Sequence, residues 1–262
     1  MKLAWRRRGG LLFLEAVGAQ DAVLCVSTRG GGVSTGPYGT LNLGLHVGDE
    51  PGLVLENRRR LARALGFSAE LMTCAAQVHG TDIAIVGAAE AGRGAQSQEG
   101  LWEVDGLVTA QRGVPLVCFY ADCVPLLYYC PAPRVCAVAH AGWRGTLEGI
   151  AARMLRVLEG QFGCDLDRIQ VIIGPAIGAC CYTVGEEVRR LFAEKFGRPV
   201  DSTLDLQGIN RQILVDYGLP SGNILVSGLC TKCHGDLFFS HRGAQQQGYS
   251  ATGRHGAVVM LR

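Results

Sequence analysis

The chain has 262 residues, 48% hydrophobic and 18% charged, with a formal net charge of +2. That composition supplies a sizeable core and too little charge for disorder, and its near-neutral balance gives no general basis for nucleic-acid binding. No run approaches the roughly 20 apolar residues of a membrane span, so no membrane association is expected.

The start, MKLAWRRRGGLLFLEAVGAQ, imitates a signal peptide, but Glu15 cuts the apolar run and no convincing cleavage site follows. Residues 11–16 read instead as a first strand. The 11 cysteines are odd in number and scattered, and most sit in apolar runs where Cys behaves as a small hydrophobe. This is not a secreted disulfide framework, and a reduced cytoplasm is the expected setting.

In chain order, residues 23–28 read as a strand. They run into RGGGVSTGPYGTLNLGLHVGD, a long glycine-punctuated loop whose Arg29, Ser34, Tyr38, Asn42 and His46 favour a functional role. Residues 51–65 form a helix with Val54, Leu61 and Leu65 on one face and Gly66 at its end; Arg58, Arg59 and Arg60 read as its solvated side. An apolar run over 71–78 ends in QVHG, residues 83–86 form a strand, and 87–100 form an unpatterned mobile loop. Strands are expected over 114–120 and 135–139, a helix over 146–161, and a strand over 169–173. A turn-rich loop, GPAIGACCYTVG, follows. Helices over 186–196 and 204–217 and a strand over 223–227 come next, and the C-terminal stretch reads as two strands around a polar loop. Interspersed strands and helices without a linker or repeat imply one α/β-type domain over residues 1–262.

The chemistry gathers at the ends of these runs. His79, Cys123 and His140 each follow an apolar, strand-like run. Neutral imidazole and thiolate are good Zn²⁺ ligands, and three protein ligands leave a fourth position open for water or substrate. A Cys123–His140 nucleophile pair and ordinary core residues are the other readings, and the spacing, which matches no short ligand motif, does not decide among them. Asp122, beside Cys123, is a candidate base or a loop cap. Trp143-Arg144-Gly145 precedes a helix, where backbone N–H groups and an Arg offer an anion site. Cys230-x-x-Cys233-His234 has the spelling of a haem attachment site, rejected for want of an export signal; a second zinc, a redox pair or two ordinary cysteines remain.

These residues also carry a resemblance. STRGGGVSTGPYGTLNLGLHVGD, ENRRRLARALG, QVHG, DGLVT, ADCVPLL, AHAGWRGT, GPAIGACCYTVGEEV and TGRHG resemble, nearly end to end, the YfiH-type family. Its members have been called laccase-domain proteins, purine nucleoside phosphorylases and peptidoglycan editing factors. The resemblance implies a sandwich of mixed β-sheets flanked by helices (α+β type), with His79, Cys123 and His140 as zinc ligands; copper fits less well. It implies phosphorolysis of adenosine, inosine, guanosine and methylthioadenosine, with adenosine deamination as a second reaction. The partners are then purine nucleosides and phosphate, in a monomer or homodimer. Arg29, Asn42, Tyr38 and Arg144 are the candidate substrate and phosphate contacts, Phe239 a further stacking candidate, and Cys123, Asp122 and Arg144 the candidate catalytic groups. A cysteine hydrolase editing a peptidoglycan precursor is the alternative. Two departures stand out: Tyr120 replaces the usual Thr before ADC, and Gly243 replaces an Arg of FSYRRD.

Overall fold

The computed structural model describes residues 1–19, 21–197, 199 and 201–262. Two β-sheets stack face to face. The first is antiparallel and five-stranded, in the order β1 (Lys2–Arg8), β2 (Leu11–Val17), β3 (Ala22–Ser27), then β11 (His255–Leu261) and β6 (Leu116–Tyr120). The second has six strands: β10 (Ile224–Val226), β9 (Gln170–Ile173), β7 (Val124–Pro131), β8 (Arg134–Ala141), β5 (Gly106–Thr109) and β4 (Ile83–Ile85). Its outer pairs, β10 with β9 and β4 with β5, are parallel and the inner pairs antiparallel, so this sheet is mixed.

Alternation within the strands builds three apolar layers. Leu127 and Tyr129 of β7, Cys136 and Val138 of β8, and Leu116, Cys118 and Tyr120 of β6 fill the space between the sheets. Leu126 and Tyr128 of β7 and Ala137 and Ala139 of β8 point the other way. They pack under α3 (Ile150–Phe162), α4 (Glu186–Phe196) and α5 (Leu206–Tyr217), through Met154, Leu155, Phe192 and Leu214. On the far face of the first sheet, Val117, Val258 and Phe13 meet Leu61 and Leu65 of α1 (Pro51–Leu65). Each fully buried Leu or Phe contributes about 1.5–3 kcal/mol, so the sandwich holds its strands, and the turns between them, firmly.

Several expected elements differ. Residues 2–8 form a strand, β1, paired along its whole length with β2. Residues 124–131 form a central strand of the second sheet, buried on both faces and so without the alternation that marks a half-exposed strand. The helix expected over 146–161 is two helices, α2 (Trp143–Glu148) and α3, divided at Gly149, whose φ of 82° lies in the left-handed region. The apolar run before His79 is not a strand; it holds only single bridges at Thr73 and Ala76. The C-terminal polar loop contains α6 (His241–Gln246), and one strand, β11, rather than two ends the chain. The segment taken as a mobile loop is tied to the body: Arg58, expected on the solvated face of α1, is buried and donates to the carbonyls of Leu43, Gly94 and Ala95 at 2.6–2.9 Å.

Candidate active site and metal centre

The site forms where the chain leaves one sheet for the other. β6 ends at Tyr120 in the first sheet and β7 begins at Val124 in the second, so residues 121–123 bridge the two layers. Asp122 takes a φ of 86°, unusual for a residue with a side chain. It is held there by three bonds: its carboxylate accepts from the Thr231 hydroxyl and the Arg242 backbone N–H, both at 2.7 Å, and its carbonyl accepts from Ile177. The tight crossing turns Asp122 and Cys123 toward one cavity.

His140 lies within β8, opposite Pro125 of β7. His79 comes from the loop before β4, also with a positive φ, 64°. One buried carboxylate organises both. Asp105 Oδ1 accepts from His140 Nδ1 at 2.8 Å and from the His79 backbone N–H at 3.1 Å. Its Oδ2 accepts from Gly80 at 2.7 Å and Val78 at 3.1 Å. A carboxylate is an acceptor only, so it keeps a proton on Nδ1 and turns Nε2 toward the site, where a metal would displace the proton that Nε2 carries beside the Cys123 thiolate. Asp105 escaped the sequence reading as a functional residue, although DGLVT was singled out; an Asp at a strand entrance looks like any turn former.

The ligand atoms of His79, Cys123 and His140 lie within 4.8 Å of one another. The imidazole rings of His79 and His140 meet edge to face at 4.9 Å. Gly142 closes the cradle from behind, since a Cβ there would stand 2.9 Å from His79 Cδ2 and 3.2 Å from Cys123 Sγ. Burial would raise the Cys123 thiol, but the charge and hydrogen bond of His140, then those of His79, outweigh it and bring it down to about 6. Two imidazoles and a readily formed thiolate are a coherent donor set for one metal ion.

The trio opens on a cavity of about 520 Å³, within the usual range of small-molecule sites. Phe119, Tyr182, Leu45 and Leu101 supply apolar wall, and Arg58, Arg242, Arg254, Gln77 and Gln245 polar wall. Gln77 is fixed by a reciprocal pair of bonds with the Phe119 backbone, at 2.7 and 2.8 Å. Arg242 donates to the Thr183 carbonyl and lies over the Tyr182 ring, while Arg254 is braced on the carbonyls of Thr252 and Gly253. Neither Arg was anticipated, because the chain brings them to the trio from residues more than 100 positions away.

Other anticipated residues lie elsewhere. Asn42 is fully buried and knits its own loop, bonding Asp49, Gly44 and the Arg254 backbone. Tyr38 donates to the Val47 carbonyl. Arg29 donates to the carbonyls of Gly39 and Gly235 and lies over the Phe239 ring, in a separate cavity of about 230 Å³. None of these lines the trio's cavity. Arg144 is exposed on α2 with its guanidinium over Trp143 at 4.3 Å, and is also not part of that wall.

A family model described as multi-copper polyphenol oxidoreductase laccase matches residues 23–262. The chain belongs to this family. Within the laccase-like family, the purine nucleoside phosphorylase YlmD of Geobacillus stearothermophilus is 42% identical over 91% of this chain and 89% of its own length. An adenosine deaminase from an unknown prokaryotic organism is 34% identical over 82% of this chain and 86% of its own. The crystal structure of the Bacillus licheniformis hypothetical protein YfiH, 34% identical, superimposes with a TM-score of 0.90 over 98% of this chain and 99% of that one.

The two departures from the family spelling fall in different places. Tyr120 is buried between the sheets beside His140 and donates to the Ala139 carbonyl at 2.9 Å, so it braces the strand that carries His140. Gly243 lies in the first turn of α6 and faces Ser240 and Lys232, in the Arg29 cavity rather than at the trio.

Proposed function

We propose that the chain is a zinc-dependent purine nucleoside phosphorylase acting on adenosine, inosine, guanosine and methylthioadenosine, with adenosine deamination as a second reaction. One observation carries the reading: a cavity large enough for a nucleoside is lined by two imidazoles and a thiol and by three arginines, of which Arg58 is committed to backbone carbonyls and Arg242 and Arg254 remain to meet an anion. The phosphorylase and deaminase names of the relatives support it. His79, Cys123 and His140 would hold the ion, with Asp105 fixing the tautomer. Three protein donors and an open fourth position suit zinc, and donors for a single ion do not suit a multicopper centre. When bound, the ion supplies Lewis acidity toward a substrate oxygen or water.

The remaining work falls to the chain. Arg242 and Arg254 offset the charge of phosphate and hold it against the sugar, as pre-positioned cations do in group transfer. Phe119 and Tyr182 offer aromatic surface to the base. Asp122 is a positioning residue: its bond to the Arg242 N–H sets the start of α6 and with it the guanidinium. Arg144, at the exposed start of α2, is assigned a role in drawing phosphate toward the cavity rather than in contacting it.

Inosine incubated with pure, zinc-loaded protein, with and without phosphate, tests the reading by chromatography. Hypoxanthine and ribose 1-phosphate formed only with phosphate, and lost in Arg242→Ala, are the expected result. Hypoxanthine formed equally without phosphate, or no product from any purine nucleoside, would overturn it. A second reading, a thiol hydrolase editing a peptidoglycan precursor, draws on the lowered Cys123 thiol beside His140. It requires turnover that survives complete removal of metal.

A further inference from the structure

A second cluster of metal-binding side chains lies outside the cavity. Cys180, Cys181, Cys230 and Cys233 bring their four sulfurs within 4.8 Å of one another. Sγ of Cys233 lies 3.6 Å from that of Cys180 and 3.5 Å from that of Cys181. Zn–S bonds of about 2.3 Å in a tetrahedron set sulfurs about 3.8 Å apart, so these spacings are close to the edges of a tetrathiolate around one ion. A polynuclear iron–sulfur cluster holds its cysteines farther apart.

The backbone is shaped for such a group. A turn in which Cys181 and Tyr182 both donate to the Gly178 carbonyl presents the adjacent cysteines 180 and 181 on one side. The Cys230-x-x-Cys233 turn faces it, and the Gly178 N–H points at the Cys230 sulfur at 3.3 Å. N–H groups directed at a sulfur stabilise it as thiolate, as the surroundings of metal-bound thiolates do. The two segments come from different parts of the chain, after β9 and after β10, and are joined by a bridge between Ala176 and Cys230. Four thiols converging from two loops are more than a redox pair uses.

We propose that Cys180, Cys181, Cys230 and Cys233 bind one structural Zn²⁺, separate from the ion of the His79–Cys123–His140 site. Binding replaces four S–H bonds with four Zn–S bonds and releases four protons to solvent. With four protein ligands the site is closed, so its role is to staple. It clamps the loop carrying Tyr182 to the loop carrying Thr231, which holds Asp122, and so fixes one wall of the cavity.

The test removes the first site and looks for the second. His79→Ala/His140→Ala protein is purified under reducing, anaerobic conditions, loaded with zinc and desalted. Metal analysis and X-ray absorption should give one zinc per chain with four sulfurs at about 2.3 Å. Adding Cys230→Ser and Cys233→Ser should abolish that zinc. If that variant does not fold, the absorption spectrum of the protein with all four cysteines still decides. No retained zinc, a shell containing nitrogen or oxygen, or a Cys180–Cys233 or Cys181–Cys233 disulfide in the reduced preparation would overturn the proposal. Iron in the same four-sulfur shell would overturn its assignment to zinc.

Discussion

Asp105→Asn is nearly isosteric and tests how the candidate metal centre is organised. The carboxylate serves four donors, two on each oxygen: His79 N–H and His140 Nδ1 on Oδ1, Val78 and Gly80 N–H on Oδ2. An amide has one acceptor oxygen, so its NH2 must face one of these pairs. Facing Val78 and Gly80, it would leave two N–H groups without acceptors. Facing His79 and His140, it strands only one, because His140 can shift its proton to Nε2 and accept at Nδ1. The second arrangement costs less, about 1–3 kcal/mol for a single unpaired buried donor. It also puts a proton on the nitrogen that would otherwise bind metal. The loss of a partner of this kind lowers metal affinity about 10–100-fold. Competition with a chromogenic chelator gives the affinity and thermal unfolding of the metal-free protein gives the stability. Asp105→Asn protein that binds zinc as tightly as the parent would refute the tautomer argument. Unchanged stability would refute the buried hydrogen-bond account.

Gly142→Ala isolates the cradle. The φ of Gly142, −73°, suits alanine, but the added methyl presses on His79 and Cys123, so metal affinity should fall at least several-fold with little change in melting temperature; an unchanged affinity counts against a tight site. His255 gives a pH signature away from the metal. It is fully buried, neither ring nitrogen has a partner among the described residues, and burial followed by the charge of Arg254 pushes it down from 6.5 to about 3. Between those values the unfolded chain binds a proton that the folded chain refuses. The proton-linked cost is therefore absent above pH 6.5, and stability falls as the pH drops toward 3, by at most about 4–5 kcal/mol. His255→Phe should move the acid-unfolding midpoint, followed by circular dichroism, to lower pH; an unmoved or raised midpoint would contradict the assignment.

Much of the architecture was legible because local signals agreed with it. α1 and α4 have the bounds that their apolar spacing and terminal glycines imply. β7 was hidden because both its faces are covered, which erases the period-two pattern. Gly149 could not be told from a tolerated helix glycine until its φ was known. At the site, the types and positions of His79, Cys123 and His140 were readable and the structure brings them together. Asp105, Arg242 and Arg254 were not, because their roles depend on long-range contacts that leave no spacing to read. Arg58 looked like one of three surface arginines, and only the fold shows it binding three carbonyls.

The placement of Cys123 between β6 and β7 has a mechanical meaning. His140 belongs to the second sheet, whereas the segment bearing Cys123 begins in the first. Val124, next to Cys123, pairs with Ala141 and Pro125 with His140, so the distance between Cys123 and His140 is a gauge of register in the β7–β8 ladder. Leu127 and Val138, paired in that ladder and buried between the sheets, hold the register without touching the cavity. Slight misfits there would be read out as a loosened metal ion long before the protein unfolds.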